Sequence, residues 1–200
     1  MSIILKDTEG FASLAEKGFQ EILLTYPLNF AKSIKHHFSG RMEESAVRNN
    51  GPSSQKFRGD RICWLNNDDN LSFQAASSLS SENPEHVLLE CLSNLKNSLN
   101  RELFLGLREY SGHVACYEAG KGYARHRDTF KNDPHPRRIS LCLYFNEAWQ
   151  DLDGGQLKIY GEKTLSVFPR LGHGVIFLSE KEHEVFPALR ERWSLAAWLK

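Results

Sequence analysis

Hydrophobic positions change their spacing about halfway along the 200-residue chain. In the first half they recur at helical intervals. Phe11, Leu14 and Ala15 predict a short helix that Asp7 or Thr8 caps and Gly18 ends. Pro27, Ala31, Ile34 and Phe38 mark one stripe of a second helix, stopped at Ser39-Gly40. Asn83-Pro84 supplies a cap and a first-turn proline for a third, whose stripe of Leu88, Cys91, Leu92, Leu95 and Leu99 runs to about Asn100. A strand is expected over residues 19–25. Because the stripes are purely apolar, the helices read as cover for a sheet rather than as carriers of chemistry.

Beyond Phe104 a period of two takes over, with strands expected over residues 113–117, 138–145, 156–160, 165–168, 175–179 and 192–199. Ile139, Leu141, Leu143 and Phe145 alternate with Arg138, Ser140, Cys142 and Tyr144. In the last segment Arg192, Ser194, Ala196 and Trp198 share one face, and Trp193, Leu195, Ala197 and Leu199 the other. The greasy face should pack on the helices, and the other should line a pocket into which Arg192 reaches. Many short strands joined by Gly-containing turns and preceded by helices predict a mainly β fold with flanking helices: a jelly-roll core packed against an N-terminal helical layer. One domain over residues 1–200 accommodates it, with 1–105 as helical support and edge strands and 106–200 as the β core. Residues 41–57 are polar, rich in Asn, Gly, Pro and Ser, and without periodicity; a loop of that length is either disordered or functional.

Composition narrows the partners. Twenty-five basic and 25 acidic residues cancel, which argues against general electrostatic association with nucleic acid or an anionic membrane. No run of about 18 apolar residues suits a membrane span, and the first residues lack the basic-then-apolar pattern of a secretory signal. Cys63, Cys91, Cys116 and Cys142 are widely spaced, with no Cys-x-x-Cys pair, and predict reduced thiols in the cytoplasm.

Candidate chemistry centres on His126-Arg127-Asp128. In an extended chain residues two apart share a face, so an imidazole and a carboxylate enter one pocket together. His183 supplies a third ligand, and two histidines with one carboxylate and open coordination positions are the signature of a non-haem Fe(II) oxygenase. A His-x-Asp alone is common by chance, so the reading depends on its company. Arg192 adds to it, because a guanidinium fork matches the carboxylate of an acidic cosubstrate; a protein carboxylate is the alternative partner. His36, His37, His86, His113, His135 and His173 have no partners at ligand spacing and read as surface or structural residues.

On the stretches Gly122-Tyr123-Ala124-Arg125-His126-Arg127-Asp128, Tyr144-Phe145-Asn146-Glu147-Ala148-Trp149, Gly154-Gly155-Gln156-Leu157 and His183-Glu184-Val185, with Arg192 and Trp198, the chain resembles the Fe(II)- and 2-oxoglutarate-dependent prolyl hydroxylases. The likeness is to the hypoxia-inducible-factor type and its bacterial relatives; it runs from about His113 and reaches back to Arg58-Gly59-Asp60-Arg61-Ile62-Cys63-Trp64. It implies a double-stranded β-helix (cupin-like) core, His126, Asp128 and His183 as iron ligands, and Arg192 on the far carboxylate of 2-oxoglutarate. Tyr144 falls where the family has a tyrosine hydroxyl assisting that arginine, and Tyr117 near one that lines the cosubstrate pocket, although the segment from Tyr117 to His126 is a residue shorter than in the animal enzymes. Arg137 and Trp198 match substrate contacts. Residues 41–57 correspond to a mobile substrate-covering loop whose sequence here diverges.

The reaction so implied is hydroxylation of a prolyl residue in a protein, with O2 as cosubstrate, succinate and CO2 released, and ascorbate as a reductant. Bacterial relatives modify elongation factor Tu, and a ribosomal protein is another family substrate; a cytoplasmic monomer with no nucleic-acid or membrane partner is expected. Two readings compete: a hydroxylase of a small molecule such as free proline, and a non-oxygenase, namely a zinc site or an inactive binding module on a jelly roll. The joint presence of three ligands and Arg192 argues against the latter, since a binding module has no need of a chelating cosubstrate.

Overall fold

The computed structural model describes residues 2–5, 10–26, 29–44, 58–66, 83–129 and 133–200. In chain order the elements are β1 (Ser2–Leu5), α1 (Ala12–Lys17), β2 (Phe19–Thr25), α2 (Phe30–Ser39), β3 (Glu43–Glu44), β4 (Asp60–Trp64), α3 (Pro84–Leu103), β5 (Tyr110–Tyr117), β6 (Tyr123–His126), β7 (Ile139–Tyr144), β8 (Leu157–Ile159), β9 (Leu165–Val167), β10 (His173–Leu178), β11 (His183–Val185) and β12 (Arg192–Leu199), with a 3-10 turn at Asp151–Asp153. They form an eight-stranded sheet in the order β1-β2-β10-β7-β12-β5-β4-β3 and a four-stranded sheet in the order β6-β11-β8-β9. Paired strands are antiparallel throughout, and no helix among the described residues is long and apolar enough to cross a membrane.

The three helices cover the outer face of the large sheet. Phe11, Leu14, Ile34, Phe38, Leu88, Leu92, Leu95 and Leu99 bury against Ile139, Leu141, Leu143, Trp193, Leu195 and Leu199. The helical and strand periodicities therefore meet in one apolar layer. A smaller cluster lies on the opposite face, where Tyr144, Val175 and Phe177 of the large sheet meet Leu157, Ile159 and Val167 of the small one. It closes one end of the space between the sheets and leaves the other for polar side chains.

Local signals are only partly obeyed. Asn83 accepts from the Glu85 amide at 3.0 Å and Pro84 opens α3 as expected, but the helix continues past Asn100 to Leu103 and ends with Phe104 at φ 52°. Asn100 is no terminator because its amide grips both backbone groups of Leu107, at 2.7 and 2.8 Å, and ties the next segment to the helix. In α1 the buried positions are Ser13 and Leu14, whereas Ala15 faces solvent. The Ser13 hydroxyl donates to the Phe19 carbonyl and Gln20 accepts from the Leu14 amide, so a polar residue takes the inward place. Gly18 ends the helix at φ 74°, donating to the Leu14 carbonyl. Asp7, Thr8 and Pro27 lie outside the described residues.

Residues 41–57 are not loop throughout: Glu43 and Glu44 pair with Ile62 and Arg61 as the edge strand β3. The remainder of that stretch, 45–57, lies outside the described residues.

Candidate active site

Cross-strand pairing brings the two histidines together, since His183 on β11 lies directly opposite His126 on β6. Asp128 arrives differently from the expectation of a continuous strand: β6 ends at His126, and Asp128 sits in a bend whose amide donates to the Ser179 carbonyl at 3.0 Å. The large sheet, not strand alternation, thus sets the carboxylate. Its oxygens stand 3.6 Å from His126 Nε2 and 3.5 Å from His183 Nε2, and the three ligand atoms all lie within 4.8 Å of one another.

The tautomers suit metal binding. His126 Nδ1 donates to the Ala124 carbonyl at 2.7 Å and His183 Nδ1 to the Lys181 carbonyl at 3.0 Å, which leaves both Nε2 lone pairs directed at the shared centre. Burial, then the neighbouring His183, pushes His126 down to about 4, so its imidazole is neutral at pH 7. For Asp128 burial works upward, but His183, His126 and the Ser140 hydroxyl outweigh it and hold the carboxyl below its usual range. Ser140 Oγ donates to Asp128 at 2.7 Å and meets Ser179 Oγ at 2.9 Å, a hydroxyl pair that fixes the carboxylate's rotation.

These groups open into a cavity of about 260 Å³ whose lining includes His126, Asp128, His183, Tyr117, Arg137, Arg192 and Trp198. At its deep end Arg192, opposite Tyr117 in register, is 1% exposed. It donates to the Gly155 carbonyl at 2.9 Å and to Ser194 Oγ at 3.1 Å, and its guanidinium stands about equally over the Tyr117 and Tyr144 rings. Among the described residues no carboxylate lies within ion-pair range of it. Tyr144 is not part of the lining but flanks it; its buried hydroxyl, beside Arg192, makes no hydrogen bond of good geometry among the described residues. Burial raises both phenols far above ordinary tyrosine, so they are donors. A buried cation and a donor without an acceptor call for an anionic ligand.

At the mouth, Arg137 stacks 3.7 Å over Trp198 and reaches the Asp128 carbonyl at 3.5 Å. Lining residues that carried no role in the sequence include Arg58, Trp64, His113 and Tyr123. Arg58 grips Asp60 at 2.6 and 2.9 Å, and Tyr123 stacks on His126 with ring centres 3.7 Å apart. His113, read from spacing as a surface or structural residue, is 2% exposed and faces the cavity two strand steps from Tyr117. Period-two alternation back from Tyr117 was the signal that places it there.

The family model described as the 2OG-Fe(II) oxygenase superfamily matches residues 112–200. A prolyl-4-hydroxylase of Pseudomonas putida is 31% identical, covering 96% of each chain with a TM-score of 0.74. A prolyl hydroxylase from Trichoplax adhaerens, solved in complex with a hypoxia-inducible-factor peptide fragment, is 25% identical over 95% of this chain and 86% of its own, also with a TM-score of 0.74. The human prolyl hydroxylase EGLN3 is 31% identical over 155 residues, 74% of this chain and 61% of that protein, so the chain spans less than two thirds of this curated relative. With a facing-histidine centre and an inward arginine on a two-sheet β core, and with near-complete coverage of a relative at that identity, this chain belongs to the 2OG-Fe(II) oxygenase superfamily, among its prolyl hydroxylases.

Proposed function

We propose that the protein hydroxylates a prolyl residue of a polypeptide, with Fe(II) held by His126, Asp128 and His183 and with 2-oxoglutarate and O2 as cosubstrates. The observation that carries this reading is the pairing of the three-ligand cluster with a buried guanidinium that has no carboxylate partner among the described residues. The donor set suits Fe(II): two imidazoles whose Nδ1 atoms are taken up by backbone carbonyls, leaving Nε2 for the metal, and one carboxylate, with positions left for a chelating cosubstrate. When bound, Fe(II) with 2-oxoglutarate and O2 supplies the oxidising power, the keto acid leaving as succinate and CO2 while one oxygen atom goes to a substrate C–H bond.

The chain's own residues bind and orient. Arg192, held by Gly155 and Ser194, presents its free N–H groups to the far carboxylate, and Tyr144 adds a hydroxyl donor. Leu157, Val185 and Ala115 make the intervening wall apolar, which excludes water from a reactive centre. Arg137 and Trp198 stand at the mouth, where a polypeptide enters. The relative from Trichoplax adhaerens was solved with a peptide, which supports a polypeptide over a free amino acid. Elongation factor Tu and a ribosomal protein are the substrates to try first, and four free thiols fit a cytoplasmic setting.

The test is incubation of the protein with Fe(II), 2-oxoglutarate, ascorbate as reductant, and purified elongation factor Tu or ribosomal proteins, followed by peptide mass spectrometry. A gain of one oxygen on a proline is the expected result. Consumption of 2-oxoglutarate with free proline, and no oxidised protein, would replace this reading by the small-molecule one.

A further inference from the structure

His113 projects into the cavity from β5 on the same face as Ala115 and Tyr117, and its ring packs against Trp64, centres 4.9 Å apart, and Trp198, 5.2 Å apart, which also meet each other. Arg58 Nη2 lies 3.2 Å from its Nε2. A guanidinium has donors only, so Nε2 accepts and, in the neutral ring, the proton is on Nδ1. Burial first and the adjacent Arg58 second push the imidazole down to about 3, in keeping with a neutral ring. Nδ1–H is therefore a donor, and it is buried without a partner among the described residues. Buried donors are rarely left unpaired, and at a cavity wall the missing acceptor is that of a ligand.

Position along the strand says which ligand. Arg192 pairs with Tyr117, whereas His113 pairs with Ala196, four residues and roughly 13 Å along β5. That is out of reach of a five-carbon dicarboxylate anchored on Arg192, and it lies at the end where Trp64, Trp198 and Arg137 form the mouth. A polypeptide around proline lacks an N–H at that residue yet keeps its carbonyls, so it carries a surplus of acceptors. We infer that His113 is a substrate-binding residue whose Nδ1–H donates a hydrogen bond to a main-chain carbonyl beside the target proline. This rests on the polypeptide reading proposed above and adds to it a contact that selects acceptor-rich backbone rather than a side chain.

Two measurements test it. Long-range imidazole 15N spectra of the histidine-labelled protein at pH 7 should show His113 protonated on Nδ1 and bare on Nε2; the opposite tautomer would overturn the inference without any assay. Hydroxylation is then measured on a pool of synthetic peptides, each with one central proline, and Michaelis constants are compared on the best of them. His113→Asn keeps a donor near the Nδ1 place, His113→Gln reaches only toward Nε2, and His113→Leu keeps neither. Leu and Gln should raise the peptide constant about tenfold, equivalent to about 1.4 kcal/mol, while Asn stays within about twofold and all three keep the parent's constant for 2-oxoglutarate. If the Leu variant does not fold, the Asn and Gln pair decides. A working parent whose variants share its peptide constant overturns the contact alone; a parent that hydroxylates no peptide or protein overturns the polypeptide reading and the contact with it.

Discussion

The two faces of β12 behave as different materials. Outward, Trp193, Leu195, Ala197 and Leu199 bury in the layer shared with the helices, and the one polar side-chain group among them, the Trp193 indole N–H, donates to Glu191. Inward, Arg192, Ser194, Ala196 and Trp198 line the cavity, whose buried polar groups lack some of their partners: Arg192 has no carboxylate and His113 Nδ1 no acceptor among the described residues, and the flanking Tyr144 hydroxyl is likewise unpaired. One strand thus carries an apolar face packed within the fold and a polar face turned to the cavity. The difference implies that truncation on the outer face should cost stability and leave binding alone, whereas removing polar groups on the inner face should cost binding and leave the unliganded fold as stable or more so.

The sharpest break is His183→Ala, which should reduce 2-oxoglutarate turnover by more than the roughly 10–100-fold that follows loss of an outer-shell partner. Its melting temperature without metal should stay close to the parent's, since the fold is built on the apolar layer; normal turnover would remove the ligand assignment. Leu92→Ala, at a fully buried position under the large sheet, should lower unfolding free energy in urea by roughly 2 to 5 kcal/mol with an unchanged Michaelis constant for 2-oxoglutarate. Arg192→Lys keeps charge and loses the fork, so 2-oxoglutarate binding by calorimetry should weaken by roughly 3 kcal/mol while Fe(II) binding survives.

Smaller effects sharpen the contrast. Tyr144→Phe should weaken 2-oxoglutarate by roughly 1.5 kcal/mol and at the same time raise the stability of the unliganded protein, because it deletes a buried donor. A loss of both would mean that the hydroxyl is already satisfied. The last concerns pH: His113 has a folded pKa of about 3, below the ordinary value of about 6.5 in an unfolded chain, so protonation favours unfolding. Its contribution is full above about pH 6.5 and declines as pH falls toward 3, by at most about 1.4 kcal/mol per pH unit. His126 shifts in the same direction, so the check is a difference: the drop in urea midpoint between pH 7 and pH 5.5 should be smaller in His113→Asn than in the parent.

Particular elements show how much was legible. Strand β12 was read with its bounds and both faces, because strict alternation with one greasy side leaves no other register. The bounds of β2 were read as well, while β1, β3 and β11 are too short to carry a period and become strands only by pairing. Residue type and spacing singled out the three side chains that cluster, yet the expected extended His126-Arg127-Asp128 is a strand end followed by a bend. The cavity-facing place of His113 was not legible, because a histidine outside ligand spacing looks like any other until its strand is placed.

By itself, the sequence determined the two periodicities, hence helices on one side of a sheet, and the residue types able to hold a divalent metal and a dicarboxylate. Those depend on local chemistry, which a linear chain displays. Tertiary structure alone decided that His183 faces His126, that Ser140 and Ser179 fix Asp128, and that Arg58 sets the tautomer of His113. Each of these joins residues distant along the chain, and a hydrogen bond's partner depends on where the strands bring two groups together, which no spacing along one strand encodes.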